Sequence, residues 1–270
     1  VGLCDFVYLD GRIQAAQDAR IPIFDRGLLF AHSVYEVTAV AGGALVDSAA
    51  HLARLERSLA GVELTLPLSL EEIDAVQTAL CRRNQLREGV VYLQVTAGDY
   101  GDRDFSGPGH LRPRLFAFCQ ERKLIDERAQ RGIAAITVPD TRWARRDLKT
   151  TQLLSQALAY REAGRAGAQT AIMHENGFVT EAASANVWVV DRQGLVSTRD
   201  LSPAILGGVT RASILGLGTC DVVEAPCALE QLLSAEEVFL SSTGGVVLPV
   251  VEIDGRRVGE GAPGPVTRRV

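Results

Sequence analysis

The chain has little of what builds a secreted, membrane-spanning or zinc-binding protein. Its five cysteines, Cys4, Cys81, Cys119, Cys220 and Cys227, are odd in number, scattered, and never spaced as Cys-x-x-Cys. That pattern argues against a disulfide framework or a metal site and fits a reducing cytosol. No apolar run approaches the ~20 residues of a membrane helix. The N-terminus alternates apolar with charged residues where a signal peptide would be continuously apolar. These absences predict a soluble, cytoplasmic protein with no membrane partner, and a first residue of Val1 suggests that preceding residues are missing. Positive charge is also short, with a formal net charge of −5. Clusters such as Arg142, Arg145 and Arg146 are too brief to make a nucleic-acid surface, so no nucleic-acid partner is expected and any anionic ligand is small. Repeats and low-complexity tracts are absent, as are a Walker A lysine and a Gly-x-Gly-x-x-Gly turn.

What is present is a mixed alternation of strands and helices. At 270 residues the chain can bury roughly 70–75% of its unfolded surface, enough for one large or two medium domains. Asp10-Gly11, Gly42-Gly43 and Asn176-Gly177 supply the positive φ angles of tight hairpin turns. They predict hairpins over 6–14, over 34–46, and over 171–181. Amphipathic helices are predicted over 51–59, with Leu52, Leu55 and Leu59 on one face and Arg54 and Arg57 also on that helix, and over 70–84. Residues 89–96 and 114–119 read as strands flanking a Gly/Asp/Pro-rich loop at 98–113. In the second half, 132–138 is a strand, 152–163 a helix with Leu153, Leu154, Ala157 and Leu158 inward, and 186–190 a further strand. The polar run Gln120-Glu121-Arg122-Lys123 is the candidate linker between a first domain, 1–119, and a second, 124–270.

Two features carry chemistry. The first is Lys149, at a strand-to-helix junction within Arg142-Trp143-Ala144-Arg145-Arg146-Asp147-Leu148-Lys149-Thr150-Thr151. A lysine that forms a Schiff base must attack as the neutral amine, and neighbouring cations such as Arg145 and Arg146, with partial desolvation, favour that form. The same segment can also be read as a solvated basic stretch. The second is a pair of Gly-rich turns beside hydroxyl side chains. Gly207-Gly208-Val209-Thr210 opens a helix, and Ser241-Ser242-Thr243-Gly244-Gly245 follows a strand. Helix-start N–H groups and hydroxyls suit a phosphate dianion, and Arg54 can complete such a cup with a two-point contact. Either turn can equally be only a tight turn, and Arg54 only a solvated helix arginine.

Taken together, the residues resemble the fold type IV pyridoxal-phosphate aminotransferases, and within them the D-amino-acid aminotransferases. The likeness runs from Phe24-Asp25-Arg26-Gly27 through Val34-Tyr35-Glu36-Val37, His51-Leu52-Ala53-Arg54-Leu55 and the Lys149 segment. It continues through Val179-Thr180-Glu181-Ala182-Ala183-Ser184-Ala185-Asn186 and Gly207-Gly208-Val209-Thr210-Arg211 to Ser241-Ser242-Thr243. It implies a mixed α/β (α+β) protein, with a small N-terminal α+β domain, a larger C-terminal β-rich domain and pyridoxal 5′-phosphate between them, assembled as a homodimer. By the same resemblance Lys149 is the catalytic lysine, holding the cofactor and moving a proton between the substrate Cα and the cofactor C4′. Glu181 pairs with the pyridine nitrogen, where a protonated ring is the better electron sink. Arg54, Val209, Thr210, Ser242 and Thr243 bind the phosphate, Leu206 packs on the ring, and Arg142 lies near the cofactor. His51 and His174 read as structural.

Substrate recognition departs from the family pattern. Tyr35 matches the family's carboxylate-binding tyrosine. In the loop where the family has Arg-x-His, this chain has Arg103 with Phe105 in place of the histidine, and the loop is about one residue longer. Arg103 is the candidate α-carboxylate ligand; the alternative is an ion pair with Asp102 or Asp104 in a solvated loop. Leu28-Leu29-Phe30-Ala31-His32-Ser33 replaces a glycine-aspartate-glycine turn, so Phe105 and His32 are candidate pocket residues and primary (R)-amines become candidate substrates. The implied reaction is ping-pong transfer of nitrogen from a D-amino acid such as D-alanine or D-glutamate to a 2-oxo acid. The competing readings are a branched-chain L-amino-acid aminotransferase, a 4-amino-4-deoxychorismate lyase, and a noncatalytic phosphometabolite-binding protein.

Overall fold

The computed structural model describes residues 2–107 and 110–270, apart from the side chain of Leu3. Two residues of the expected loop at 98–113, Pro108 and Gly109, thus lie outside the described residues. The chain divides into two compact units, Val1–Leu124 with Leu148–Thr151, and Ile125–Asp147 with Gln152–Val270.

The first unit is a six-stranded antiparallel sheet with helices on one face. Its strands are β1 (Gly2–Leu9), β2 (Arg12–Ala15), β3 (Ser33–Ala41), β4 (Ala44–Leu45), β5 (Gly89–Thr96) and β6 (Arg114–Glu121), in the order β2-β1-β6-β5-β3-β4. Helix α1 (Arg26–Phe30) precedes β3, and α2 (Ser48–Ala60) and α3 (Leu70–Arg83) lie between β4 and β5. Asp10 and Gly11 at the β1–β2 turn have φ of 44° and 92°, the left-handed pair that the Asp-Gly signal predicts. Helix α3 starts at a reciprocal cap in which the Ser69 hydroxyl accepts from the Glu72 N–H and the Glu72 carboxylate accepts from the Ser69 N–H.

The period-2 alternation of the strands sets the core. Val91, Leu93 and Val95 of β5 and Leu115, Ala117 and Cys119 of β6 share a buried cluster with Leu52, Leu55 and Leu59 of α2 and Ile73 and Leu80 of α3. The alternate positions carry Tyr35, Tyr92 and Phe118, with Tyr92 stacked on the other two at ring distances of 5.4 and 4.7 Å. The candidate linker 120–123 differs from expectation, since Gln120 and Glu121 pair with β5 and β1 as the end of β6.

The second unit holds a ten-stranded mixed sheet. Its strands are β7 (Ile133–Pro139), β8 (Thr170–Glu175), β9 (Phe178–Ala182), β10 (Asn186–Val190), β11 (Val196–Thr198), β12 (Val222–Glu224), β13 (Cys227–Ala228), β14 (Glu237–Ser242), β15 (Val246–Ile253) and β16 (Arg256–Arg257). They run β12-β11-β10-β14-β15-β7-β8-β9-β13, with β16 on β15. The helices are α4 (Glu127–Arg131), α5 (Leu154–Arg165), α6 (Val209–Leu217), α7 (Leu229–Leu233) and α8 (Pro265–Arg269). Asn176 and Gly177 turn β8 into β9 at φ of 52° and 80°.

Helix α5 corrects one expectation. Leu154, Ala157 and Leu158 face solvent and Leu153 is half-buried, while Ala159 and Ala163 are the buried pair, packed with Ala171 and Met173 of β8. Small side chains let the helix lie close on the sheet, and this close approach outweighs the larger transfer energy of leucine at that face. No helix among the described residues is long and apolar enough to cross a membrane.

Candidate active site

Lys149 sits in the first unit, not with the residues that precede it in sequence. The strip Leu148–Thr151 lies along the start of β3. The Tyr35 N–H donates to the Lys149 carbonyl at 3.0 Å, Thr150 bridges Val34, and the Thr151 N–H donates to the Ser33 carbonyl at 3.2 Å. The Lys149 N–H donates to the Ser58 hydroxyl of α2 at 3.2 Å. With its backbone held from both sides, the lysine places its Nζ 4.2 Å from the Tyr35 ring centroid, and that Nζ makes no ion pair or hydrogen bond of its own among the described residues. The cationic flank reads differently from the sequence expectation. Arg145 pairs with Asp147 at 3.0 Å in solvent, and Arg146 is buried against Glu175 at 2.8 Å, so neither is a bare cation.

Arg54 lies one turn before Ser58 on the same face of α2 and is buried, with His51 a further turn back. Its Nε and Nη2 donate to the two oxygens of Glu36 at 2.7 and 2.9 Å. His51 Nδ1 is 2.8 Å from Glu36 Oε2. An ionised carboxylate only accepts, so Nδ1 carries the proton and donates. Burial alone would raise the Glu36 pKa, but the charge and hydrogen bonds of Arg54, the His51 bond and the charge of Lys149 bring it down to about 2. Sequence reading assigned Glu36 no role. The available signal was its register, for Val34-x-Glu36-x-Thr38-x-Val40 puts a carboxylate on the face where the others are buried among leucines.

The second unit gathers its candidates at one end of the sheet. Glu181, next to last in β9, is buried, and its Oε1 accepts from Arg142 Nη1 and from the Leu206 N–H, the latter at 3.2 Å. Asn186, first in β10, donates to the Leu206 carbonyl at 2.9 Å and pairs across the sheet with Ser241. That register places the Ser242–Thr243 turn beside the same sheet end. Helix α6 starts here without a side-chain cap. At Gly208 a Cβ would fall 2.1 Å from Asn186 Oδ1, so a glycine is required by close approach. Asp140 holds the other edge of Arg142, accepting from its Nε and Nη2 at 3.0 and 2.7 Å.

The recognition loop belongs to the first unit. The Arg103 guanidinium lies over the rings of Phe105 and Phe30, 4.9 and 5.6 Å from their centroids, and makes no side-chain ion pair with Asp102 or Asp104 among the described residues. Phe105 is exposed. His32 Nε2 is 2.9 Å from the Val62 carbonyl and so carries a proton that it donates there. Arg26, like Glu36, has no role assigned from the sequence; it is buried and donates to the carbonyls of Asp104 and Phe105, which pins the loop. Its companion Asp25 caps α1 through Gly27 N–H at 2.8 Å and accepts from the Thr96 hydroxyl at 2.9 Å.

The first unit carries a lysine whose amine lies over Tyr35, and the second carries a buried carboxylate and a helix start without a side-chain cap; comparison with known proteins identifies the family. Residues 33–253 match the amino-transferase class IV family, and the chain belongs to it. D-alanine aminotransferase of Bacillus licheniformis is 36% identical over 98% of this chain and 94% of its own length. That of Staphylococcus haemolyticus is 34% identical over the same shares. Among solved structures, a branched-chain amino acid aminotransferase of Escherichia coli superposes at a TM-score of 0.92 with 27% identity, covering 98% of this chain and 92% of that one. The fold is that of fold type IV.

Proposed function

We propose that this chain is a pyridoxal 5′-phosphate-dependent D-amino-acid aminotransferase, which moves nitrogen between D-alanine or D-glutamate and 2-oxo acids in two half-reactions and accepts primary (R)-amines as a side activity. The observation that carries the chemistry is Lys149, with its backbone fixed on β3 and its amine over Tyr35. The full-length likeness to D-alanine aminotransferases directs the substrate assignment.

The residues fit the cofactor. The uncapped start of α6 offers the N–H groups of Val209 and Thr210 to a phosphate dianion. Ser242 and Thr243 add hydroxyls in the same unit, and by the family resemblance Arg54, held by Glu36, is a further phosphate ligand. Leu206, whose N–H is anchored on Glu181, packs against the ring. When bound, the cofactor supplies a conjugated ring that takes up the electron pair left at the substrate Cα. Lys149 Nζ is the base that would take the proton from the substrate Cα and deliver it to the cofactor C4′, and the Tyr35 ring face would stabilise the ammonium in between. Glu181 holds a proton on the ring nitrogen, which makes the ring the stronger electron acceptor. Arg103, over Phe30 and Phe105, is the ligand for the α-carboxylate, with Tyr35 and His32 as further contacts.

The branched-chain reading retains support from the solved structures, whose fold is shared. A half-reaction screen separates the two. The cofactor-loaded protein is mixed with D-alanine, D-glutamate, L-leucine or (R)-1-phenylethylamine, and the visible absorbance of the bound cofactor is followed. Rapid bleaching by the D-amino acids is expected, and bleaching by L-leucine alone rejects the assignment. Borohydride reduction followed by peptide mapping is expected to place the cofactor on Lys149; no label there removes the enzyme reading.

Solvent-exposed Leu154 and Leu158 on α5 support a homodimer in which a second copy covers them. Five free cysteines support a cytoplasmic location.

A further inference from the structure

The second unit contains a line of alternating charge that ends on Glu181. Glu175, at the end of β8, receives Arg146 through Nη1 and Nη2 at 3.0 and 2.8 Å. Arg146 Nε lies 3.6 Å from Asp140 Oδ2. Asp140, with no exposed side-chain surface, receives Arg142 through Nε, Nη2 and the backbone N–H, and also accepts from the Thr180 hydroxyl at 2.6 Å. Arg142 then donates its Nη1 to Glu181. The order Glu175, Arg146, Asp140, Arg142, Glu181 sets three carboxylates against two guanidiniums.

The physical consequence lies in Arg142. A guanidinium bonded to Glu181 by itself cancels much of that carboxylate's field. An anion on the other edge of the same guanidinium restores it. Asp140 is that anion, and because it grips Nε and Nη2 it also fixes the plane in which Nη1 points at Glu181. Burial would raise the Asp140 pKa, but the hydrogen bond and charge of Arg142, with the Thr180 bond, hold it below the ordinary carboxylate value.

We propose that Asp140, acting through Arg142, is a positioning residue for the transamination: it aims Glu181 and keeps that carboxylate negative enough to hold the proton on the cofactor's ring nitrogen. This rests on the role given to Glu181 above. Leu206 N–H and Asn186 Nδ2 also donate to Glu181, and Glu175 at the exposed end sets how strongly Arg146 competes with Arg142 for Asp140.

The test uses enzyme loaded with cofactor labelled with nitrogen-15 in the ring, whose chemical shift reports the ring proton independently of turnover. In Asp140→Asn the proton is lost about one pH unit lower than in wild type, and the half-reaction with D-alanine slows about tenfold, the same free-energy change. Cofactor affinity stays within about threefold, because no proposed phosphate contact is touched. Glu175→Gln, a surface change that leaves packing intact, moves the signal in the same direction by about a third as much, and salt suppresses the difference from wild type. Glu181→Gln decides the underlying reading: an unchanged ring signal there rejects Glu181 as the nitrogen's partner. A signal moved by Glu181→Gln but by neither of the other two variants overturns the role of Asp140. If Asp140→Asn does not fold, an unmoved signal in Glu175→Gln overturns it alone.

Discussion

Glu36 makes a strong claim on stability, because it is a buried carboxylate on a largely apolar sheet face and is held by Arg54 and His51. It titrates at about 2, against 4.5 for a free glutamate. At 1.36 kcal/mol per pH unit that difference corresponds to about 3 kcal/mol of folding stability. The folded-state pKa is depressed, so the contribution is fully present above the unfolded value and is lost as pH falls from about 4.5 towards 2. The linkage integral removes roughly 1 to 2 kcal/mol of it by about pH 3.5. Glu36→Gln keeps the shape and one acceptor but has no charge to titrate. We expect it to cost about 3 kcal/mol near neutral pH, as for one member of a buried pair. The gap to wild type should then narrow by roughly 1 to 2 kcal/mol on acidification to about pH 3.5. The assay is urea unfolding of the cofactor-free protein across that range, with the two unfolding signals fitted separately if the units melt apart. A gap that stays constant with pH would refute the reasoning, since it would mean that Glu36 contributes packing and no charge. Replacing the pair together, as Glu36→Leu with Arg54→Leu, is expected to cost less than the sum of the single changes, because neither charge is then left behind.

Gly208→Ala places a methyl 2.1 Å from Asn186 Oδ1, and the resulting overpacking, typically 1–3 kcal/mol, should push Asn186 off the Leu206 carbonyl. A cofactor titration is expected to show affinity reduced about tenfold or more, and unchanged affinity would mean that this turn does not take the phosphate. Arg103→Ala is expected to weaken D-glutamate turnover at least about tenfold, as loss of a charged hydrogen bond does, and turnover of (R)-1-phenylethylamine much less. Equal losses for both donors, read from kcat/KM, would reject Arg103 as a carboxylate ligand.

Much of this molecule is legible along the chain because the signals are local. Asp10-Gly11 and Asn176-Gly177 determine their hairpins through the positive φ that glycine and its partner tolerate, and Leu52, Leu55 and Leu59 mark the buried face of α2 by spacing alone. The motif pieces around Lys149, Glu181 and Thr210 likewise identify a transaminase by order and type. The inward face of α5 misled because apolarity ranks leucine over alanine, whereas the close approach to β8 selected Ala159 and Ala163.

Tertiary structure decided what pairing requires. Lys149 follows β7 in sequence yet joins β3 through backbone hydrogen bonds that no local pattern encodes. Glu36 finds Arg54 across eighteen positions, and Asp140 meets Glu181 through Arg142. The sequence by itself determined which chemical groups this protein carries and which turns it makes. The fold decided which charges meet out of water, and there a carboxylate's partner sets both its pKa and its use.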